Sequence, residues 1–80
     1  MKARVYVTLK PSVFDPQGRT VNDALQGLGF SGIADVRQGK YFELTLDGVG
    51  ADEARRLAED AARRVLSNPV IESFRVEVDK

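Results

Sequence analysis

Histidine, cysteine and tryptophan are absent from this chain of 80 residues. The absence of cysteine and histidine excludes disulfides, thiolate chemistry and the usual zinc sites. It also removes the side chain best suited to proton transfer near neutral pH. Any catalysis would have to use carboxylates, lysine, tyrosine or hydroxyl groups, and these form no evident constellation. We therefore expect no catalytic residue, no bound cofactor and no metal ligand in this chain.

The charge of the chain is balanced, with 12 basic and 12 acidic residues, so general binding to nucleic acid is not expected. No apolar run approaches the roughly 20 residues of a membrane helix, and the N-terminus does not have the apolar core of a signal peptide. These features predict a cytoplasmic protein. A chain of this length builds one small core, so we expect a single domain over residues 1–80 that gains from self-association.

Alternating apolar and polar residues predict four β-strands, over residues 3–10, 33–37, 40–46 and 73–78. The second and third strands would form a hairpin around a tight turn at Gln38-Gly39. With one helix after the first strand and one before the last, the order is β-α-β-β-α-β. This order predicts a ferredoxin-like α+β fold, in which a four-stranded antiparallel sheet carries both helices on one face.

The first predicted helix begins near Asp15, whose carboxylate can cap it while Pro16 takes the first helical position. A capping-box pattern at Thr20 and Asp23 offers a rival start within one turn. Gly29 suits the C′ position at the other end. The second helix carries one apolar stripe, formed by Ala54, Leu57, Ala58, Ala61 and Val65.

The sheet face opposite the helices would be open to solvent or to a partner. Four of its outward residues are candidates for a dimer interface, namely Tyr6, Thr8, Tyr41 and Thr45. Pairing of two sheets along an edge needs only exposed strands, whereas face pairing needs apolar content that Arg4, Glu43 and Arg75 dilute. Pairing along an edge is therefore slightly preferred.

Asp15 and the two tyrosines, Tyr6 and Tyr41, are candidates for a catalytic or a binding role. Asp15 could be a general base or a metal ligand, but the helix-cap role explains it without a further assumption. Tyr6 and Tyr41 resemble the stacking residues of an RNA-recognition motif. Glu43 would repel RNA phosphates, and the glycine-aromatic spacing of that motif is missing.

Two segments place prolines and apolar side chains in predicted loops, where burial by the chain itself is doubtful. The residues that we consider candidates for a partner interface are Lys10, Pro11, Val13, Phe14, Asp15, Pro16 and Gln17 in the first loop and Asn68, Pro69, Val70 and Ile71 in the second. Packing of these residues under the helices is an equally open alternative.

Six segments can be compared with known families: Leu9-Lys10-Pro11, Asp15-Pro16-Gln17-Gly18, Ala24-Leu25, Leu28-Gly29-Phe30, Val36-Arg37-Gln38-Gly39-Lys40 and Leu66-Ser67-Asn68-Pro69-Val70-Ile71-Glu72. Their order and spacing over almost the whole chain resemble the PurS family, the small subunit of phosphoribosylformylglycinamidine synthase. The resemblance implies a subunit of an ATP- and glutamine-dependent C–N ligase of purine biosynthesis. It also implies that this subunit is not catalytic alone.

The same resemblance implies partners and an assembly role. The glutaminase subunit PurQ would release ammonia, and the large subunit PurL would use it together with ATP and magnesium. Members of the family would form homodimers or higher oligomers that hold PurQ and PurL together and assist ammonia transfer. An ACT-type module that binds an amino acid at a dimer interface shares the strand order and stays open as an alternative, as does an RNA-binding module.

Overall fold

The structure is a computed structural model that describes residues 1–79. Its elements in chain order are β1 (Lys2–Leu9), α1 (Pro16–Gly27), β2 (Gly39–Thr45), α2 (Ala51–Ala61) with a π-helical continuation (Ala62–Leu66), and β3 (Glu72–Asp79). The sheet order is β2-β1-β3, and both pairings are antiparallel. The chain thus has an α+β fold with a three-stranded sheet and two helices.

The alternation predicted for the strands is confirmed by their burial. Ala3, Val5 and Val7 of the central strand β1 are fully buried, and the residues between them face the opposite side of the sheet. Val5 lies between Phe42 of β2 and Val76 of β3, so apolar side chains line up across one face. We call this the inner face and the opposite one the outer face.

The predicted strand over residues 33–37 is wrong, and with it the hairpin at Gln38-Gly39. In the structure this segment has no strand partner, and β2 begins at Gly39. The segment contacts the β1–α1 loop instead. The Arg37 guanidinium donates to carbonyl groups of that loop, and the Gln38 N–H donates to the Asp15 carboxylate.

The expectation that both helices cover one sheet face is also wrong. Only α2 packs on the sheet, against β3 and β1, whereas α1 makes no extensive contact with any strand or with α2. The predicted ends of α1 are nevertheless confirmed. Asp15 is the N-cap and Pro16 is the first helical residue, while Gly29 has a φ of 93°, which favours glycine.

The core under α2 is made by small residues. Ala54, Ala58 and Ala62 are fully buried, which lets the helix approach β1 closely. The predicted stripe was therefore partly misplaced, since Leu57 is 45% exposed and Val65 is 79% exposed. Leu57 lies about 60° around the helix from Ala54 and about 100° from Ala58, whereas Val65 lies in the π-helical turn, where the spacing of 3.6 residues per turn no longer holds. Within the described residues, neither helix has the length and apolar character needed to cross a bilayer.

Candidate partner interface at the proline end of the sheet

The two proline-bearing loops, predicted separately as partner contacts, lie side by side at one end of the sheet. The backbone N–H of Lys10 donates to the carbonyl oxygen of Ile71 over 2.8 Å, just beyond the last register pair, Leu9 and Glu72. We call this end, with residues 10–18, 36–40 and 67–72, the proline end. One backbone hydrogen bond therefore joins the two loops into a single surface.

The β1–α1 loop is held in one conformation by hydrogen bonds on both of its sides. The N–H of Val13 donates to the carbonyl oxygen of Lys10 over 2.9 Å and closes a turn. The Arg37 Nη2 donates to the carbonyl oxygens of Lys10 and Val13 over 3.1 and 3.0 Å. Because a guanidinium presents several donors in a rigid plane, one side chain can hold several carbonyl groups together.

Asp15 fixes the point where this loop enters α1. Its buried carboxylate accepts the N–H of Gly18 over 2.9 Å and the N–H of Gln38 over 2.8 Å. These two bonds, first that of Gly18 and then that of Gln38, hold the pKa of Asp15 below its ordinary value. The helix-cap prediction is confirmed, and the second bond, to the start of β2, was not predicted.

The α2–β3 loop is equally well defined. The Asn68 Oδ1 accepts the N–H of Val70 over 3.1 Å, and the N–H of Asn68 donates to Glu72 Oε1 over 2.7 Å. Ser67 is buried, and its hydroxyl donates to the carbonyl oxygen of Ala62 over 2.7 Å at the end of the π-helical turn. The turn that presents Val70 is thus fixed on both sides.

Apolar side chains project into solvent from these ordered loops. Phe14 is 65% exposed, Val70 is 79% exposed and Ile71 is 39% exposed. Lys10 and Val13 are half-buried, whereas the other predicted contact residues apart from Asp15 are exposed, namely Pro11, Pro16, Gln17, Asn68 and Pro69. Since their backbones are held, Phe14 and Val70 do not fold back under the helices. Ordered loops with solvent-exposed apolar side chains are typical of interaction sites.

The four predicted dimer residues all lie on the outer face, where the chain satisfies most of its own polar groups. Tyr6 stacks between Tyr41, at 5.1 Å between ring centres, and the Arg75 guanidinium, at 4.3 Å. Its hydroxyl donates to Glu77 over 2.9 Å, which raises the pKa of Tyr6. Tyr41 is 49% exposed, and Thr8 and Thr45 are exposed as well.

Nothing in the described part of the chain resembles a metal centre, since no three acidic side chains converge there. Both carboxylate oxygens of Asp15 already accept backbone N–H groups. The exposed side chains of Phe14 and Val70 on ordered loops support binding of another protein surface at the proline end. Arg37 and Gln38, which shape this end, were missed because their segment had been interpreted as a strand and a turn.

The family model for PurS, described as phosphoribosylformylglycinamidine (FGAM) synthase, matches residues 2–80. This chain belongs to the PurS family. The PurS subunit of phosphoribosylformylglycinamidine synthase from Bacillus subtilis is 43% identical over 79 residues, which is 99% of this chain and 93% of that one. The corresponding subunit from Synechocystis is 44% identical over 75 residues, 94% of this chain and 75% of the relative.

Solved PurS structures have the same fold. Crystalline PurS from Methanocaldococcus jannaschii, one of the subunits of formylglycinamide ribonucleotide amidotransferase, has a TM-score of 0.88 and 32% identity over 99% of this chain and 95% of that one. A chain of the PurLQS structure from Thermotoga maritima has a TM-score of 0.86 and 26% identity, covering 95% and 93%. The family resemblance expected from the six sequence segments is confirmed.

Proposed function

We propose that this chain is the non-catalytic assembly subunit of phosphoribosylformylglycinamidine synthase in the cytoplasm. Its proline end holds the glutaminase subunit PurQ and the ATP-dependent subunit PurL in one complex, so that ammonia passes between them. ATP and magnesium are bound by PurL. One observation carries the proposal, namely that two loops far apart in sequence form a single ordered surface with exposed apolar side chains.

Because the loops of that surface are already held in one conformation, less conformational entropy is lost when a partner binds. A flexible loop would have to be ordered when a partner binds, at a cost of about 0.5–1.5 kcal/mol for each immobilised side chain. Here Arg37 and Asp15 hold the backbone on both sides of Phe14 before any partner arrives. An aromatic ring presented on such a loop suits the centre of a protein interface, where few residues supply most of the binding energy.

The proposal is tested by replacing the apolar side chains of the proline end. We expect Phe14→Ser and Val70→Ser to lower the glutamine-dependent synthase activity that is reconstituted from this chain, PurQ and PurL. Val65→Ser is the matched control, because Val65, in the π-helical turn after α2, is as exposed as Val70, at 79%. The control should keep the activity and the co-elution of the three subunits.

The activity measured with added ammonium salt separates assembly from chemistry. If the chain delivers ammonia by holding the subunits together, the two variants should lose more glutamine-dependent than ammonium-dependent activity. The proposal fails if glutamine-dependent activity is the same when the chain is left out. It also fails if Phe14→Ser, Val70→Ser and Val65→Ser bind the larger subunits equally well.

We further propose that the fold is a ferredoxin-like arrangement without one edge strand. The order β2-β1-β3, with α2 crossing from β2 to β3 over the inner face, supports this relationship. The missing strand would lie outside β2, where residues 33–37 were expected. Amide exchange of residues 33–37 in the assembled complex tests this proposal. Fast exchange is expected if the strand is missing, whereas strand formation would slow the exchange and contradict the proposal.

A further inference from the structure

The β2–α2 loop, residues 46–50, contains a dipeptide that the assembly role does not use. Asp47 is followed directly by Gly48, and this is the only Asp-Gly or Asn-Gly pair in the chain. Both residues are exposed. Gly48 has a φ of 73°, in the left-handed region, so the bend at this position favours glycine. The sequence and the fold thus place an aspartate beside an unhindered backbone nitrogen at the surface.

Neither reacting group of this pair is engaged by the rest of the described chain. Within residues 1–79, the Gly48 N–H has no acceptor, and the Asp47 carboxylate takes part in no ion pair or hydrogen bond. A Cβ atom added to Gly48 would meet no heavy atom within 4 Å apart from its chain neighbours, so the space around this residue is open. The nitrogen can therefore approach the carboxyl carbon of the preceding side chain.

The other aspartates and asparagines lack this combination. Asp15 and Asn68 are each followed by proline, which has no N–H. Asp35 is followed by Val36, whose β-branched side chain crowds the backbone beside it. The rest lie in helices or in β3, where the backbone is held in a regular conformation, namely Asn22, Asp23, Asp52, Asp60 and Asp79. Attack of a backbone nitrogen on a neighbouring side chain is therefore least hindered at Asp47.

We propose that Asp47 is a modification site, at which the folded chain converts an aspartyl into an isoaspartyl residue. The backbone nitrogen of Gly48 attacks the carboxyl carbon of the protonated Asp47 side chain. A C–N bond forms, the C–OH bond breaks, and the hydroxyl leaves with the amide proton as one water molecule, which gives a five-membered succinimide. This ring closure is favoured because the two groups are already neighbours. Water then cleaves either C–N bond of the ring, and cleavage at the main-chain carbonyl gives isoaspartate.

The product differs from aspartate in its backbone and not in its charge. The main chain runs through Cβ and Cγ, so the loop gains one methylene, and the former main-chain carbonyl becomes a carboxylate. The loop is fixed at both ends, because Leu46 donates to Met1 over 2.9 Å and Ala54 donates to Gly50 over 2.9 Å in the first turn of α2. The register of β1 and β2 places this loop at the sheet end opposite the proline end. The modification therefore alters the connection to α2 and does not depend on the function proposed above.

Peptide mapping of the aged chain tests the proposal. The chain is incubated in its folded state, as checked by circular dichroism, and then cleaved with trypsin, which releases residues 41–55 with both Asp47 and Asp52. We expect isoaspartate at position 47 and not at position 52, located by fragmentation of this peptide. An isoaspartyl O-methyltransferase gives a second readout, because it moves the methyl group of S-adenosylmethionine from the sulfonium to the new carboxylate and releases the thioether. No isoaspartate at position 47, or an equal amount at position 52, would overturn the proposal.

Two variants and a free peptide complete the test. Asp47→Glu keeps the carboxylate but requires a less favourable six-membered ring, so methyl acceptance should be lost. Asp47→Asn expels ammonia instead of water and should give the same product faster. A synthetic peptide of residues 41–55 shows whether the fold permits the reaction, and isoaspartate that forms in the peptide but not in the folded chain would refute the site. These outcomes do not involve PurQ or PurL and so are separate from the test of assembly function.

Discussion

Gly18 lies where α1 approaches the segment before β2, and the substitution Gly18→Ala should destabilise the fold. A Cβ atom at this position would overlap the carbonyl oxygen of Val36 and lie 2.6 Å from Asp15 Oδ2. Overpacking of this kind costs about 1–3 kcal/mol. Alanine recovers up to about 1 kcal/mol through its higher helix propensity. We therefore expect a net loss of about 1–2 kcal/mol in the free energy of unfolding.

Gly27→Ala is the matched control in the same helix. No heavy atom beyond its chain neighbours and the backbone of its own helix lies within 4 Å of its added Cβ, so helix propensity alone should act and the variant should gain up to about 1 kcal/mol. The two variants would then differ by about 2 kcal/mol, or about 8–16 °C in Tm for a domain of this size. The assay is urea unfolding followed by circular dichroism at equal chain concentration, because self-association makes stability depend on concentration. A Gly18→Ala variant as stable as Gly27→Ala would refute this reasoning.

Two further outcomes concern the groups that hold the proline end. The lowered pKa of Asp15 means that its contribution to stability is complete above the unfolded-state pKa of about 3.9 and is lost as the pH falls through the folded-state value. Thermal unfolding of Asp15→Asn should therefore show lower stability at neutral pH and a shallower decline in acid, and a decline as steep as in the unmodified chain would contradict this. Arg37→Met should speed amide exchange at Val13, since it removes the donors that hold the carbonyl groups of Lys10 and Val13. Arg56→Met, at an exposed arginine of α2, serves as its control, and equal exchange in the two variants would show that the Arg37 hydrogen bonds do not hold this loop.

Much of the fold could be predicted from local patterns. The three strands that form have clean alternation, and the start of α1 is marked by a carboxylate followed directly by proline, where capping chemistry is local. The exposure of Phe14 and Val70 could also be predicted as one of two alternatives, because prolines keep these segments out of helices and strands. Such features depend on a few neighbouring residues, and sequence spacing reports them well.

The errors concern interactions between distant segments. Residues 33–37 have apolar side chains that suit a strand, but Arg37 and Gln38 bond to a loop more than 20 positions earlier. The stripe on α2 was misplaced in part: Ala54 and Ala58 are buried as predicted, but Leu57 and Val65, which look like better core residues than alanine, are exposed. The sheet instead selects the row of alanines that permits close approach. Neither outcome can be read from periodicity, which records hydrophobicity but not which elements meet.

In a small protein, folding and assembly usually depend on the same residues. In this chain the alanine row beneath α2 serves folding, and other residues serve assembly. At positions 54, 58 and 62 the fold limits the size of the side chain, whereas the large apolar side chains of Phe14, Leu28 and Val70 contribute little to the isolated chain. Selection on folding and selection on assembly therefore act on different residues. A sequence could drift at its large exposed residues and still yield a folded subunit, and the loss would appear only when the complex has to form.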